Sequence, residues 1–141
     1  MTYPDERLNA GAKNSGSKAR QWGSYVISGL AAIFLLLDGG MKLFKPEPVV
    51  KATVELGYPE SAIVPIGIVL VLSTILYLVP RTTVLGAILL TGYLGGAVAT
   101  HVRAGSGAFP IVLPVILGIL LWGGLYLRDE RVTRLVPLRS A

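Results

Sequence analysis

The sequence predicts an all-α polytopic membrane protein, a bundle of four transmembrane helices with both termini in the cytoplasm. Three observations predict it. Of the 141 residues 52% are hydrophobic and only 15% charged, with a mean hydropathy of +0.65. A soluble domain of this size has much surface per unit volume and needs more charge than that. The charges are also segregated: residues 21–37, 61–80, 82–100 and 104–127 carry none. A helix rises about 1.5 Å per residue, so roughly 20 apolar residues cross a hydrocarbon core about 30 Å thick. Finally, these runs lack the polar stripe that helices of a soluble bundle show.

Taken in order, residues 1–21 are polar, with "NSGS" in their middle, and read as a flexible cytoplasmic tail. The transmembrane domain is expected over 22–127. Span one runs from Trp22 to Phe44; its apolar run is not followed by a small-x-small cleavage site before Asp38, so it is expected to remain in the membrane. The connection from Lys45 to Glu60 is the longest, and its "PVVKATVEL" suits a short amphipathic helix at the interface, ended by Gly57 and the Tyr58-Pro59 pair. Span two is Ser61 to Val79, Pro80 to Thr82 a tight turn, and span three Thr83 to Thr100. "HVRAGSGAFP" leads into span four, Pro110 to Leu127, and residues 128–141 form a basic cytoplasmic tail.

Orientation follows from the distribution of Lys and Arg. Both termini and the loop between spans two and three share a side, which carries Arg7, Lys13, Lys18, Arg20, Arg81, Arg128, Arg131, Arg134 and Arg139. The other side has Lys42, Lys45, Lys51 and Arg103. The net charge of +5 is accounted for by this asymmetry, and no nucleic-acid partner is expected. Cysteine is absent, which excludes disulfide, zinc-thiolate and iron–sulfur chemistry. No metal site and no covalently bound cofactor are predicted.

Asp38 is the residue that this topology does not explain. It lies about 7 Å from the bilayer centre by the helix rise, where a carboxylate is costly unless it meets protein, water or a partner. Lys42 follows four residues later on the same face, in the better order for an ion pair. Steps of four and three back from Lys42 give Asp38, Leu35, Ala31, Ser28 and Ser24, a seam that should face the bundle interior while Ile33, Phe34 and Leu37 face outward. Span three offers Gly92 and Gly96, and Gly95 and Ala99, small pairs at the spacing that lets helices approach closely. His101 and Arg103 follow, at the same outer end as Asp38 and Lys42. Each polar group also has a plainer reading: Lys42 and Arg103 as cations snorkelling to headgroups, His101 as an interfacial residue without a task, Asp38 as half of a structural ion pair with Lys42 or Arg103. Trp22, Tyr25, Trp122 and Tyr126 read as interfacial belt residues.

"LDGGMKLFKPEPVVKATVELGYPE", "PRTTVLGAILLTGYLGGAVATHVRAG" and "LLWGGLYLRDERVTRLVP" together resemble the DoxX-like family of small bacterial membrane proteins, over residues 25 to 137. The matching motifs are Gly39, Lys42, Leu43 and Pro46 after span one, Gly57 to Glu60 before span two, and Gly92 through His101 with Arg103 closing span three. The resemblance implies a four-helix bundle in the bacterial inner membrane. It also implies a link, through some members, to quinone-coupled sulfur oxidation and oxidative-stress responses, with no agreed catalytic residues.

Three functional readings remain open at this stage. In the first, Asp38, Lys42, His101 and Arg103 form an outer-side pocket for a quinone headgroup or another polar-headed lipophile, with a partner oxidoreductase supplying electrons. In the second, Asp38 is a proton or solute site in a transport module acting as a homo-oligomer. In the third, the chain is a structural subunit that packs into a larger complex through the glycine faces of span three.

Overall fold

The structure, a computed structural model, describes residues 4–135. It is all-helical over these residues. Helix α1 runs Pro4–Phe44, α2 Glu47–Glu55, α3 Ile63–Leu78 after a single 3-10 turn at Glu60–Ala62, α4 Thr83–Ala104, α5 Ala108–Arg128 and α6 Glu130–Leu135. Four segments are long and apolar enough to cross a membrane: Ser15–Phe44, Glu60–Leu78, Thr83–Ala104 and Ala108–Arg128.

Two boundaries differ from the sequence expectation. Residues 4–21, read as a flexible tail, are helical and continuous with the span. No proline interrupts them after Pro4, and proline at a first helical position keeps the helix intact. Residues 1–3 and 136–141 of the two expected tails lie outside the described residues. Helix α4 does not stop at Thr100 but continues to Ala104, so His101 and Arg103 stand on its last turn rather than in a loop. The stop is set by Gly105 at φ +65: its N–H bonds the Val102 carbonyl at 3.2 Å and the Ser106 N–H bonds the His101 carbonyl at 3.1 Å, the paired bonds of a Schellman cap.

The spans form a ring in which α1 and α4 each pack against α3 and α5, leaving α1 and α4 on a diagonal. The core is built from Ala31 and Leu35 of α1, Leu70 and Tyr77 of α3, Ala87, Leu90 and Leu94 of α4, and Leu117, Leu121 and Leu125 of α5. The seam of α1 lies inward as its spacing predicts: Ser24, Ser28, Ala31 and Leu35 are at most 2% exposed, while Ile33, Phe34 and Leu37 are 46–64% exposed. In lipid that outer surface is already in an apolar solvent, so association of the helices rests on close packing and on hydrogen bonds between them.

The close approaches are not where the sequence placed them. Gly92, Gly95 and Gly96 have open space beside them, and a methyl group on any would touch nothing within 4 Å. The tight crossings fall at other glycines instead, including Gly86 at the start of α4, where a Cβ would collide with the Tyr77 backbone of α3. A Cβ on Gly124 of α5 would collide with the Ser28 hydroxyl of α1, and one on Gly67 of α3 would lie 2.9 Å from Cβ of Lys42 and 3.0 Å from the Gly39 carbonyl.

Candidate functional site

The Gly39–Gly67 crossing fixes the first half of the site. It brings α1 and α3 together one residue from Asp38 and lays the Lys42 stem against the backbone of α3. Lys42 Nζ donates to Asp38 Oδ2 at 2.5 Å; the Lys42 side chain is 17% exposed and that of Asp38 42%. The pair is thus one helical turn of α1, acid before base, with its cation the more buried partner.

The second half is held by the connection after α1. Lys45 leaves the helix at φ +52, the left-handed conformation of a C-terminal cap, with its N–H bonded to the Met41 carbonyl at 3.1 Å. Its Nζ reaches Glu60 Oε1 at 2.8 Å, closing the loop at its base. Helix α2, with Thr53 Oγ1 donating to the Val49 carbonyl at 2.8 Å, ends at Gly57, φ +88. Here the loop docks onto α4: Arg103 Nη2 donates to the Leu56 carbonyl at 3.0 Å, and the Tyr58 hydroxyl lies 2.9 Å from Thr100 Oγ1. Because the Thr100 hydroxyl donates to the Gly96 carbonyl at 2.8 Å, Tyr58 is the donor of that pair.

Of the four residues singled out in the sequence, Asp38 and Lys42 are joined directly, whereas His101 and Arg103 stand on the diagonal helix and Arg103 donates to the loop. His101 Nδ1 is buried and is the only such side-chain nitrogen or oxygen without a hydrogen-bond partner among the described residues. A buried polar atom of this kind calls for an explanation, since most are satisfied.

Tyr93 is the residue the sequence reading missed. It is partly buried on α4, and Asp38 and Tyr58 are near enough to act on it electrostatically, though no hydrogen bond joins it to either among the described residues. Its signal was the helical spacing: Tyr93, Ala97, Thr100 and His101 recur at i, i+4, i+7 and i+8, one face of α4. No group of three or more His, Cys, Asp or Glu is gathered among the described residues, and the donors present suit a neutral or anionic polar head.

A groove of about 350 Å³ lies between α4 and α5, lined by Thr91, Leu94, Gly95, Val98 and, across it, Pro114, Gly118 and Trp122. It is almost wholly apolar apart from the Trp122 Nε1 bond to Thr91 Oγ1 at 2.7 Å. Leu94, Val98 and His101 follow each other at steps of four and three, so His101 lies on the same side of α4 one turn beyond Val98, past the residues that line the groove.

No curated protein and no solved structure matches the chain. The model of the DoxX-like family matches residues 26–124, a stretch that takes in the α1 seam from Ser28 onward, the docked loop, His101 and the groove. The chain belongs to the DoxX-like family.

Proposed function

We propose that this chain is a small integral-membrane binding module that holds the polar head of a quinone-like lipophile at the end of the bundle where α1 and α4 finish, as accessory to a partner oxidoreductase. The observation that carries this reading is the buried, unpartnered His101 Nδ1, three residues along α4 from Val98, the last α4 residue that lines an apolar groove. A quinone carbonyl accepts a hydrogen bond from an imidazole N–H, and its isoprenoid tail suits a groove floored by Gly95 and Gly118. Tyr93 and the Asp38–Lys42 pair extend the polar surface across the bundle, where Asp38 could take up or release a proton as the head changes redox state. The charge asymmetry of the loops supports a bacterial inner-membrane location with both termini in the cytoplasm, which sets the site on the outer side.

Trp122 lines the groove and is one of two tryptophans, so a W22F background isolates its fluorescence. Titration with ubiquinone-1 in detergent should quench Trp122 saturably, and H101F should weaken the quenching about tenfold by removing one hydrogen bond to a buried carbonyl. Linear, non-saturating quenching that is unchanged in H101F would refute the proposal.

A second reading is favoured by one observation, the open space beside Gly92, Gly95 and Gly96. That face of α4 can receive another helix, making the chain a structural subunit or a homo-oligomer. G95L would block either occupant, but only the helix reading predicts a change in the size of the purified complex.

A further inference from the structure

At the end of the bundle that carries both termini, Arg128 closes α5 in an unusual setting. Its Cζ stands 5.3 Å from the centroid of the Tyr25 ring and 5.4 Å from that of Tyr77, both within the range of cation–π attraction. Tyr77 cannot shift to release it: the residue is fully buried, and its hydroxyl donates to the Leu121 carbonyl at 2.8 Å and lies 3.0 Å from Ser28 Oγ. The guanidinium is therefore held between two rings from two helices, one of them, Tyr77, itself locked in the core. Yet it has no carboxylate partner among the described residues, and all five of its N–H donors remain.

Beside it is a cavity of about 180 Å³, lined by Tyr25, Leu78, Pro80, Thr83, Arg128 and Asp129. At about 30 Å³ per water molecule this holds a headgroup-sized fragment and not an acyl chain. Asp129 also lines the cavity but forms no ion pair with the arginine; its Oδ1 accepts the Arg131 N–H at 2.9 Å and caps α6. The cavity lies at the limit of the spans, where α5 ends at Arg128 and the turn after α3 begins, which is the depth of lipid phosphates. Leu78, 48% exposed, and Tyr25, 60% exposed, give an attached chain an apolar surface to follow into the bilayer.

We propose that the Tyr25–Arg128–Tyr77 clamp is a binding site for a phosphate group, carried by a membrane phospholipid. A planar, preorganised guanidinium matches two phosphate oxygens at once, and the rings that hold it remove the entropy that a free surface arginine would lose on binding. This differs from general attraction of the basic rim to an anionic surface, which any of Arg81, Arg131 or Arg134 would provide equally.

The test is native mass spectrometry of the purified chain with short-chain phosphatidylglycerol, diacylglycerol of the same chain length, and inorganic phosphate. The wild type should retain one phosphatidylglycerol and no diacylglycerol. R128Q should lower that retention about tenfold or more, and R131Q, which alters the rim alone, should leave it within about twofold. Y25L keeps the charge and the core but removes the exposed ring, and should lower retention about threefold; it decides the matter if R128Q fails to fold. Inorganic phosphate that binds where phosphatidylglycerol does not would support the phosphate site and assign it a soluble source. Equal losses in R128Q and R131Q, or equal retention of diacylglycerol, would overturn the proposal.

Discussion

Replacing Tyr77 by Phe isolates the polar junction that ties three of the four spans together. The hydroxyl proton of Tyr77 goes to the Leu121 carbonyl at 2.8 Å, so the 3.0 Å contact with Ser28 must use the serine proton. Phenylalanine keeps the ring, its packing and the Arg128 stack, and deletes only these two bonds. Leu121 lies within α5, where its carbonyl keeps an intrahelical partner, and the Ser28 hydroxyl can turn back to the carbonyl four residues earlier. The penalty should therefore fall toward the lower part of the range for an unsatisfied buried group, about 1 kcal/mol and under about 2. Refolding equilibria in mixed dodecylmaltoside and dodecyl sulfate micelles would measure it. In a cycle with S28A the double variant should lose less than the sum of the singles, by about 0.5 kcal/mol or more. Strict additivity would show that the two hydroxyls do not meet, and a Y77F penalty above about 3 kcal/mol would show that more than two hydrogen bonds depend on that oxygen.

Three further outcomes follow from the packing. G124A should destabilise the fold by about 1–3 kcal/mol through overpacking against Ser28, while G92A and G96A, with open space beside them, should be neutral or stabilise α4 by up to about 1 kcal/mol in a monomeric detergent complex. D38N leaves Lys42 without its counter-ion, so it should lower the thermal transition more than the double variant D38N/K42M, which removes both charges; the reverse order would show that the pair is not coupled. Y58F removes the donor that docks the loop on Thr100, and hydrogen exchange should quicken at residues 56–60 while α3 stays protected.

What the sequence made legible was whatever repeats along one helix. The charge-free runs marked the spans, and steps of three and four through Ser24, Ser28, Ala31 and Leu35 marked the inner face of α1, because both signals need only the helical period; the same steps also led to Asp38, whose side chain is 42% exposed. The loop helix was legible from Pro48 at its start and Gly57 at its end. What failed depends on which helices meet. The small residues of α4 had the right spacing for close packing, but a span in a four-membered ring has only two neighbours, and α4 turns Gly86, Leu90 and Leu94 toward them instead. The tight crossings fell to Gly39, Gly67, Gly86 and Gly124, whose partners are backbone and side chains of other helices. Tyr77 and Tyr93 were missed for the same reason: their roles come from groups on other helices, Ser28 and Leu121 for one, Asp38 and Tyr58 for the other. The end of α4 was misplaced because Thr100 closes the charge-free run, whereas the backbone waits for Gly105.

The central claim is that the end of the bundle with His101 holds a polar-headed lipophile. Its most direct measurement is mass spectrometry of what co-purifies from native membranes in mild detergent, the wild type beside folded H101F and D38N. The account predicts one quinone or similar lipophile on the wild type, lost from H101F and reduced in D38N. The same lipids on all three, with no lipophile distinguishing the wild type, would contradict it.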